Sequence, residues 1–145
     1  MPKLGAWLWD FATDNMSRAA AAFQKLATGA PVGKGYYVKG VQFDGYKSGT
    51  LIEAKGFESE GRFLRDLYYQ MRKGYELLGQ ARKQLDVAGS TPIEWRFKDR
   101  ASAELVATMF RRYDLNIKVT VWAPSTGTFQ PITVGNVSTN RASRA

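Results

Sequence analysis

Three ionisable side chains stand close together in the stretch FDGYKSGTLIEAKG, Phe43 to Gly56: Asp44, Glu53 and Lys55. Glu53 and Lys55 are two apart in a strand-like run, so both project to one face. If this run pairs with the preceding strand across a short turn, Asp44 approaches Glu53. Two carboxylates held a few ångströms apart repel, and burial raises the cost. A divalent cation relieves both penalties by taking oxygen from each. A lysine beside that cation can orient a water for in-line attack on phosphorus, while the cation lowers the pKa of that water and stabilises charge on the phosphate. The bland reading is an exposed strand face carrying a common surface pair, with an aspartate upstream by coincidence. Against it, Glu-x-Lys occurs once in this chain, in a β-branched, small-residue strand beside an Asp-Gly turn.

Composition narrows the chemistry further. The chain has 145 residues, enough for one domain with a real core, and contains no cysteine and no histidine. Disulfides, thiolate metal sites, Cys nucleophiles, Ser-His-Asp triads and His-ligated zinc are therefore excluded. Carboxylates, Lys, Tyr or a hard cation must carry any catalysis, and oxygen ligands favour Mg²⁺, Mn²⁺ or Ca²⁺. Lys and Arg number 21 against 13 Asp and Glu, a formal net charge of +8. That excess fits a polyanion such as nucleic acid, and also an anionic membrane surface or an acidic protein. No run is long and apolar enough to span a bilayer, and the first ten residues lack the pattern of a signal peptide.

The elements that must position the three residues follow from periodicity. Leu4 to Ala27 carries helical spacing and stops at Thr28-Gly29-Ala30-Pro31, with Thr13-Asp14 as an alternative start for a shorter helix. Tyr36 to Phe43 and Thr50 to Lys55 read as two strands of an antiparallel hairpin across the turn Gly45 to Gly49. Arg62 to Ala88 reads as a long helix with Met71, Tyr75, Leu78, Ala81, Leu85 and Ala88 on its apolar stripe, weakened at Gly74 and Gly79. Thr91 to Phe97 alternates as a strand. Asp99 is a candidate N-cap for a helix through Tyr113, and Leu115 to Trp122 is a last core strand. Phe129 to Val134 is a candidate edge strand, and 135–145 is expected to be disordered. This order predicts one α/β domain over 1–145, with its core over about 4–123, a partly disordered tail over 124–145, and a mixed central sheet flanked by helices.

Asp44 followed by Glu53-Ala54-Lys55 resembles the PD-(D/E)XK pattern of the restriction-endonuclease fold. The longer text is similar to the restriction-endonuclease-fold toxin domains, the fifth such family of bacterial polymorphic toxins. FDGYKSGTLIEAKG resembles the "FDG…LLEAKG" of that family, and FQKLATGAP, Phe23 to Pro31, resembles its "YQ…ITG". ARKQLDVAGSTPIEWRF, Ala81 to Phe97, resembles "EARRQ…AAGGRPVEWHF", and LVATMFRRYDLNIKV, Leu105 to Val119, resembles the closing helix and strand. The resemblance implies a restriction-endonuclease-like core and a metal-dependent DNase toxin at the C-terminus of a larger secreted effector, such as a type VI secretion effector. Its partners would be DNA, a cognate immunity protein and secretion-system components reached through an N-terminal part. It would act in the cytoplasm of a target bacterium. Asp44 and Glu53 would bind Mg²⁺ or Mn²⁺, and Lys55 would position the attacking water. Gln84 and Gln24 match glutamines of the family text, Gln84 as a residue supporting the site. The sequence departs from the family at Arg96, where the family has His, and at Phe23, where it has Tyr.

Basic residues off the apolar stripes are candidates for phosphate contact: Lys34, Lys39 and Lys47 around the hairpin, Arg82 on the long helix, and Arg96. For any one of them a solvated surface position is the plainer reading. Tyr36 and Tyr37 could stack bases or pack in the core, and Trp7 and Trp9 belong to the core or to an interface. Alternatives to the toxin are a housekeeping or phage nuclease of the same pattern, an RNase, or an inactive nucleic-acid-binding module. The last has no need of two adjacent carboxylates that repel phosphate.

Overall fold

The computed structural model describes residues 3–9, 16–31, 33–56 and 67–133. In chain order the elements are β1 (Ala6–Trp9), α1 (Arg18–Thr28), β2 (Lys34–Val38), β3 (Val41–Phe43), β4 (Gly45–Lys47), β5 (Thr50–Lys55), α2 (Leu67–Ala88), β6 (Ile93–Phe97), α3 (Arg100–Arg112), β7 (Lys118–Ala123) and β8 (Thr128–Pro131). Five strands make a mixed sheet in the order β4-β5-β6-β7-β8. The first three strands make a separate antiparallel sheet, β1-β2-β3. The fold is mixed α/β with a central mixed sheet flanked by helices, as the element order predicts.

The middle of the large sheet is parallel: β5 pairs with β6, and β6 with β7. Parallel neighbours need long crossovers, which α2 and α3 supply. β4 and β8 add antiparallel edges. Side chains alternate between two covered faces. One face carries Leu51, Ile93, Trp95, Phe97, Val119 and Val121 against Leu77, Leu78 and Ala81 of α2 and Val106 and Phe110 of α3. Trp95 meets Phe110 edge to face at 4.9 Å. The other face lies under α1: Arg96 donates to the Ala27 carbonyl, and Thr28 and Phe23 crowd the places where Cβ atoms on Gly45 and Gly56 would go. Any larger residue at Gly45 would push α1 off the sheet.

Helix ends follow their local chemistry. Ser17 caps α1 by accepting from the Ala20 N–H, and Gly29 closes it in the left-handed region at φ 68°. Asp99 caps α3 as expected, accepting from both the backbone N–H and the hydroxyl of Ser102.

Several sequence expectations are corrected. The helix expected over Leu4 to Ala27 is a strand, β1, followed by the shorter α1. A short apolar run satisfies either period, and here Ala6 to Trp9 pairs with Tyr37 to Lys34. Trp7 and Trp9 are half exposed rather than core. Thr13 and Asp14 lie outside the described residues. The strand expected over Tyr36 to Phe43 breaks at Lys39-Gly40, where both residues have positive φ, 49° and 82°. That is the backbone of a two-residue hairpin turn, so β2 and β3 pair with each other. The strand beside β5 is β4, joined through a second such turn at Ser48-Gly49.

α2 runs unbroken through Gly74 and Gly79. Residues 62–66 of the expected helix lie outside the described residues. Its buried stripe includes Leu77 and excludes Met71 and Tyr75, which are 55% and 72% exposed. The candidate edge strand over Phe129 to Val134 is β8, Thr128–Pro131, paired with β7; Val134 lies outside the described residues. The expected disorder of 135–145 lies outside the described residues.

Candidate active site

The register of β4 on β5 sets Gly45 opposite Ile52, which leaves Asp44 level with Glu53. At that point backbone pairing stops and the Asp44 side chain takes over: its Oδ2 accepts the Ala54 N–H at 2.8 Å. Asp44 is therefore fastened to β5 between Glu53 and Lys55. Its carboxyl is pushed well above its ordinary value of 3.8. Burial is the largest cause, the Glu53 charge the next, and a hydrogen bond with the Glu53 carboxyl adds to both. The Ala54 N–H and the Lys55 ammonium pull the other way without prevailing. A proton shared between the two carboxyls is one relief for this repulsion; a divalent cation is the other.

Glu53 is only 6% exposed and faces α2. Its Oε1 accepts from Gln84 Nε2 at 3.1 Å, and its Oε2 from Gln80 Nε2 at 2.8 Å. Lys55 Nζ stands 3.2 Å from the same Oε2, donates to Gln80 Oε1 at 2.7 Å, and rests over the Trp95 ring at 4.8 Å. Gln84 is fully buried and accepts from the Trp95 indole N–H at 2.8 Å. The strand supplies the charges, and one face of α2 supplies the amides that hold them.

The expected grouping of Asp44, Glu53, Lys55 and Gln84 is thus brought together in one place. Sequence reasoning missed Gln80. Its signal was available: Gln80 and Gln84 are four apart on a helix, and such residues share a face.

The expected phosphate contacts are scattered. Lys34, Lys39 and Lys47 are exposed, Lys39 at the tip of the β2–β3 turn and Lys47 beside Gly29 at the end of α1. Arg82 is exposed on α2 with its guanidinium 5.7 Å from the Tyr113 ring. Arg96 points to the α1 face, away from the carboxylates. It is held by Glu94 at 2.7 Å, by the Ala27 carbonyl, and over Phe129 at 4.9 Å. Thr120 completes that cluster by donating to Glu94 at 3.0 Å. Gln24 is buried on α1. Tyr36 is core, stacked on Tyr46 at 4.8 Å.

Among the described residues no group of three Asp, Glu, His or Cys is placed to hold an ion. Two carboxylates suffice for Mg²⁺, which keeps several waters and takes its remaining oxygens from phosphate. The hard oxygen donors, their mutual repulsion and the raised Asp44 carboxyl all fit such an ion. No family model matches the chain, and a search of curated proteins finds no significant match.

Proposed function

We propose that this chain is a Mg²⁺- or Mn²⁺-dependent nuclease that hydrolyses phosphodiester bonds in DNA. One observation carries the reading: the Asp44 and Glu53 carboxyls are in direct contact, with the Lys55 ammonium 3.2 Å from Glu53. The bound cation would supply Lewis acidity to the phosphate and to an attacking water. Asp44 and Glu53 hold that cation. Lys55, steadied by Gln80 and the Trp95 ring, orients the water against phosphorus. Gln84 fixes the Glu53 carboxylate by giving it one amide N–H while its own oxygen is anchored on Trp95. The net charge of +8 draws a polyanionic substrate to the surface.

The resemblance described above extends the proposal to biological context: a secreted antibacterial toxin acting in the cytoplasm of a target cell and neutralised by a cognate immunity protein. Four segments in matching order, from about Phe23 to Val119, support that extension. Incubating plasmid and single-stranded DNA with the protein, with and without Mg²⁺ and with Lys55→Ala, tests the chemistry. Cleavage that needs both the metal and Lys55 is expected; cleavage indifferent to both would overturn it. Toxicity on expression in a bacterial cytoplasm, abolished by Lys55→Ala, is expected of the toxin.

A further inference from the structure

Gly79 sits in the middle of α2, where glycine costs about 1 kcal/mol relative to alanine. Packing does not require it: a Cβ built there meets nothing within 4 Å. Gly74, by contrast, would meet Met109 of α3 at 3.7 Å. Gly79 instead lines an open groove of about 550 Å³ between α2 and the β2–β3 hairpin, with Gly40, Val41, Gln42, Tyr75 and Gln80. The groove therefore runs up to Gln80, the residue that holds Lys55 and Glu53.

We propose that this groove seats a single, unpaired strand of nucleic acid and leads it to the carboxylates; this names the substrate form and rests on the nuclease reading. Tyr75, 72% exposed, offers a flat ring at the groove edge for base stacking, which an unpaired base can use and a duplex cannot. Lys83 lines the groove and Lys39 neighbours Gly40 on the hairpin, supplying positive charge for backbone phosphates. The one acid in the lining, Glu76, lies within 3.5 and 3.6 Å of Arg72 and Lys73, which offset its charge. A side chain at Gly79 would narrow the groove where the strand approaches the helix backbone.

The test is fluorescence anisotropy of a labelled single-stranded oligodeoxynucleotide in EDTA, so that binding is read without cleavage or metal. Gly79→Leu and Tyr75→Ala are each expected to weaken binding about tenfold, the scale of one lost stacking contact. Thermal melting serves as the control: Gly79→Ala is expected to raise Tm by about 3 °C through helix propensity. Both groove variants should retain metal-dependent hydrolysis of bis(p-nitrophenyl) phosphate, a substrate too small to need the groove. Unchanged single-strand affinity in folded Gly79→Leu and Tyr75→Ala would overturn the proposal, as would a duplex bound as tightly as the single strand. Failure of wild-type protein to hydrolyse the small diester would instead count against the nuclease reading, leaving the binding result to stand by itself.

Discussion

The Asp44 carboxylate accepts the backbone N–H of Ala54, the residue that separates Glu53 from Lys55. This bond replaces the next rung of the β4–β5 ladder with a side chain, and it fixes how close the part-buried Asp44 carboxyl stands to the buried Glu53 carboxyl. Asp44 is therefore both a structural pin and a charge placed at a cost.

That cost has a sign in pH. The folded Asp44 carboxyl titrates above its ordinary 3.8, so between those two values the folded chain binds more protons than the unfolded chain. The resulting stabilisation is complete below the unfolded value and is lost as pH rises through the folded one. Asp44→Asn keeps an oxygen for the Ala54 N–H and removes the charge. Its Tm should exceed that of wild type at pH 7 to 8 without divalent ions and converge with it in acid. Mg²⁺ should raise the wild-type Tm by more than that of Asp44→Asn at the same concentration. Equal melting curves across pH would contradict this account of the pair.

Lys55 divides chemistry from ion binding. Lys55→Met keeps both carboxylates and much of the stem packing on Trp95. Its DNA cleavage should fall by at least about 100-fold, the scale of a lost proton-handling or water-orienting group. Its Mn²⁺ affinity should be equal to or tighter than wild type, because a cation competing for Glu53 is gone. Loss of Mn²⁺ binding together with activity would assign Lys55 a different role.

The two glutamines should separate in the same way. Gln84→Leu leaves the Trp95 N–H and a buried Glu53 oxygen without partners, costing about 2–4 kcal/mol by chemical denaturation. Gln80 is half-buried, so Gln80→Ala should change stability by less than about 1 kcal/mol while reducing cleavage about tenfold, because Lys55 keeps Glu53 but loses the second acceptor that orients it. A Gln80→Ala protein with full activity would show that the clasp on Lys55 is unused.

Arg96 is a stability residue on the face away from the site. Arg96→Ala strands a buried Glu94 and should cost about 3–5 kcal/mol. Combining it with Glu94→Gln should recover part of the loss. A stable Arg96→Ala protein that binds DNA poorly would restore the phosphate role suggested by the sequence.

Much of this was legible beforehand. β5 and its charges could be read because Thr50 to Lys55 is a short run of β-branched and small residues between the turn at Gly49 and Gly56. The Asp99 cap was equally plain. The split of Tyr36 to Phe43 was not, because Lys39 adopts a left-handed backbone that its residue type rarely signals. Met71 and Tyr75 kept the helical spacing of a core stripe, yet both are exposed and border an open cavity against Leu105, Met109 and Tyr113 instead of packing in the core. Gln80 carried only the signal of its i, i+4 spacing to Gln84, since a glutamine on a helix by itself reads as surface until the facing strand is known to bear charges.

The central claim is that Asp44 and Glu53 jointly bind one divalent ion. The direct measurement is a Mn²⁺ titration followed by electron paramagnetic resonance, comparing wild type with Asp44→Asn. Wild type should take up Mn²⁺ at a defined site, and Asp44→Asn should weaken it by at least about tenfold. A wild-type protein that leaves Mn²⁺ free in solution, or an Asp44→Asn protein that binds it equally well, would contradict the claim.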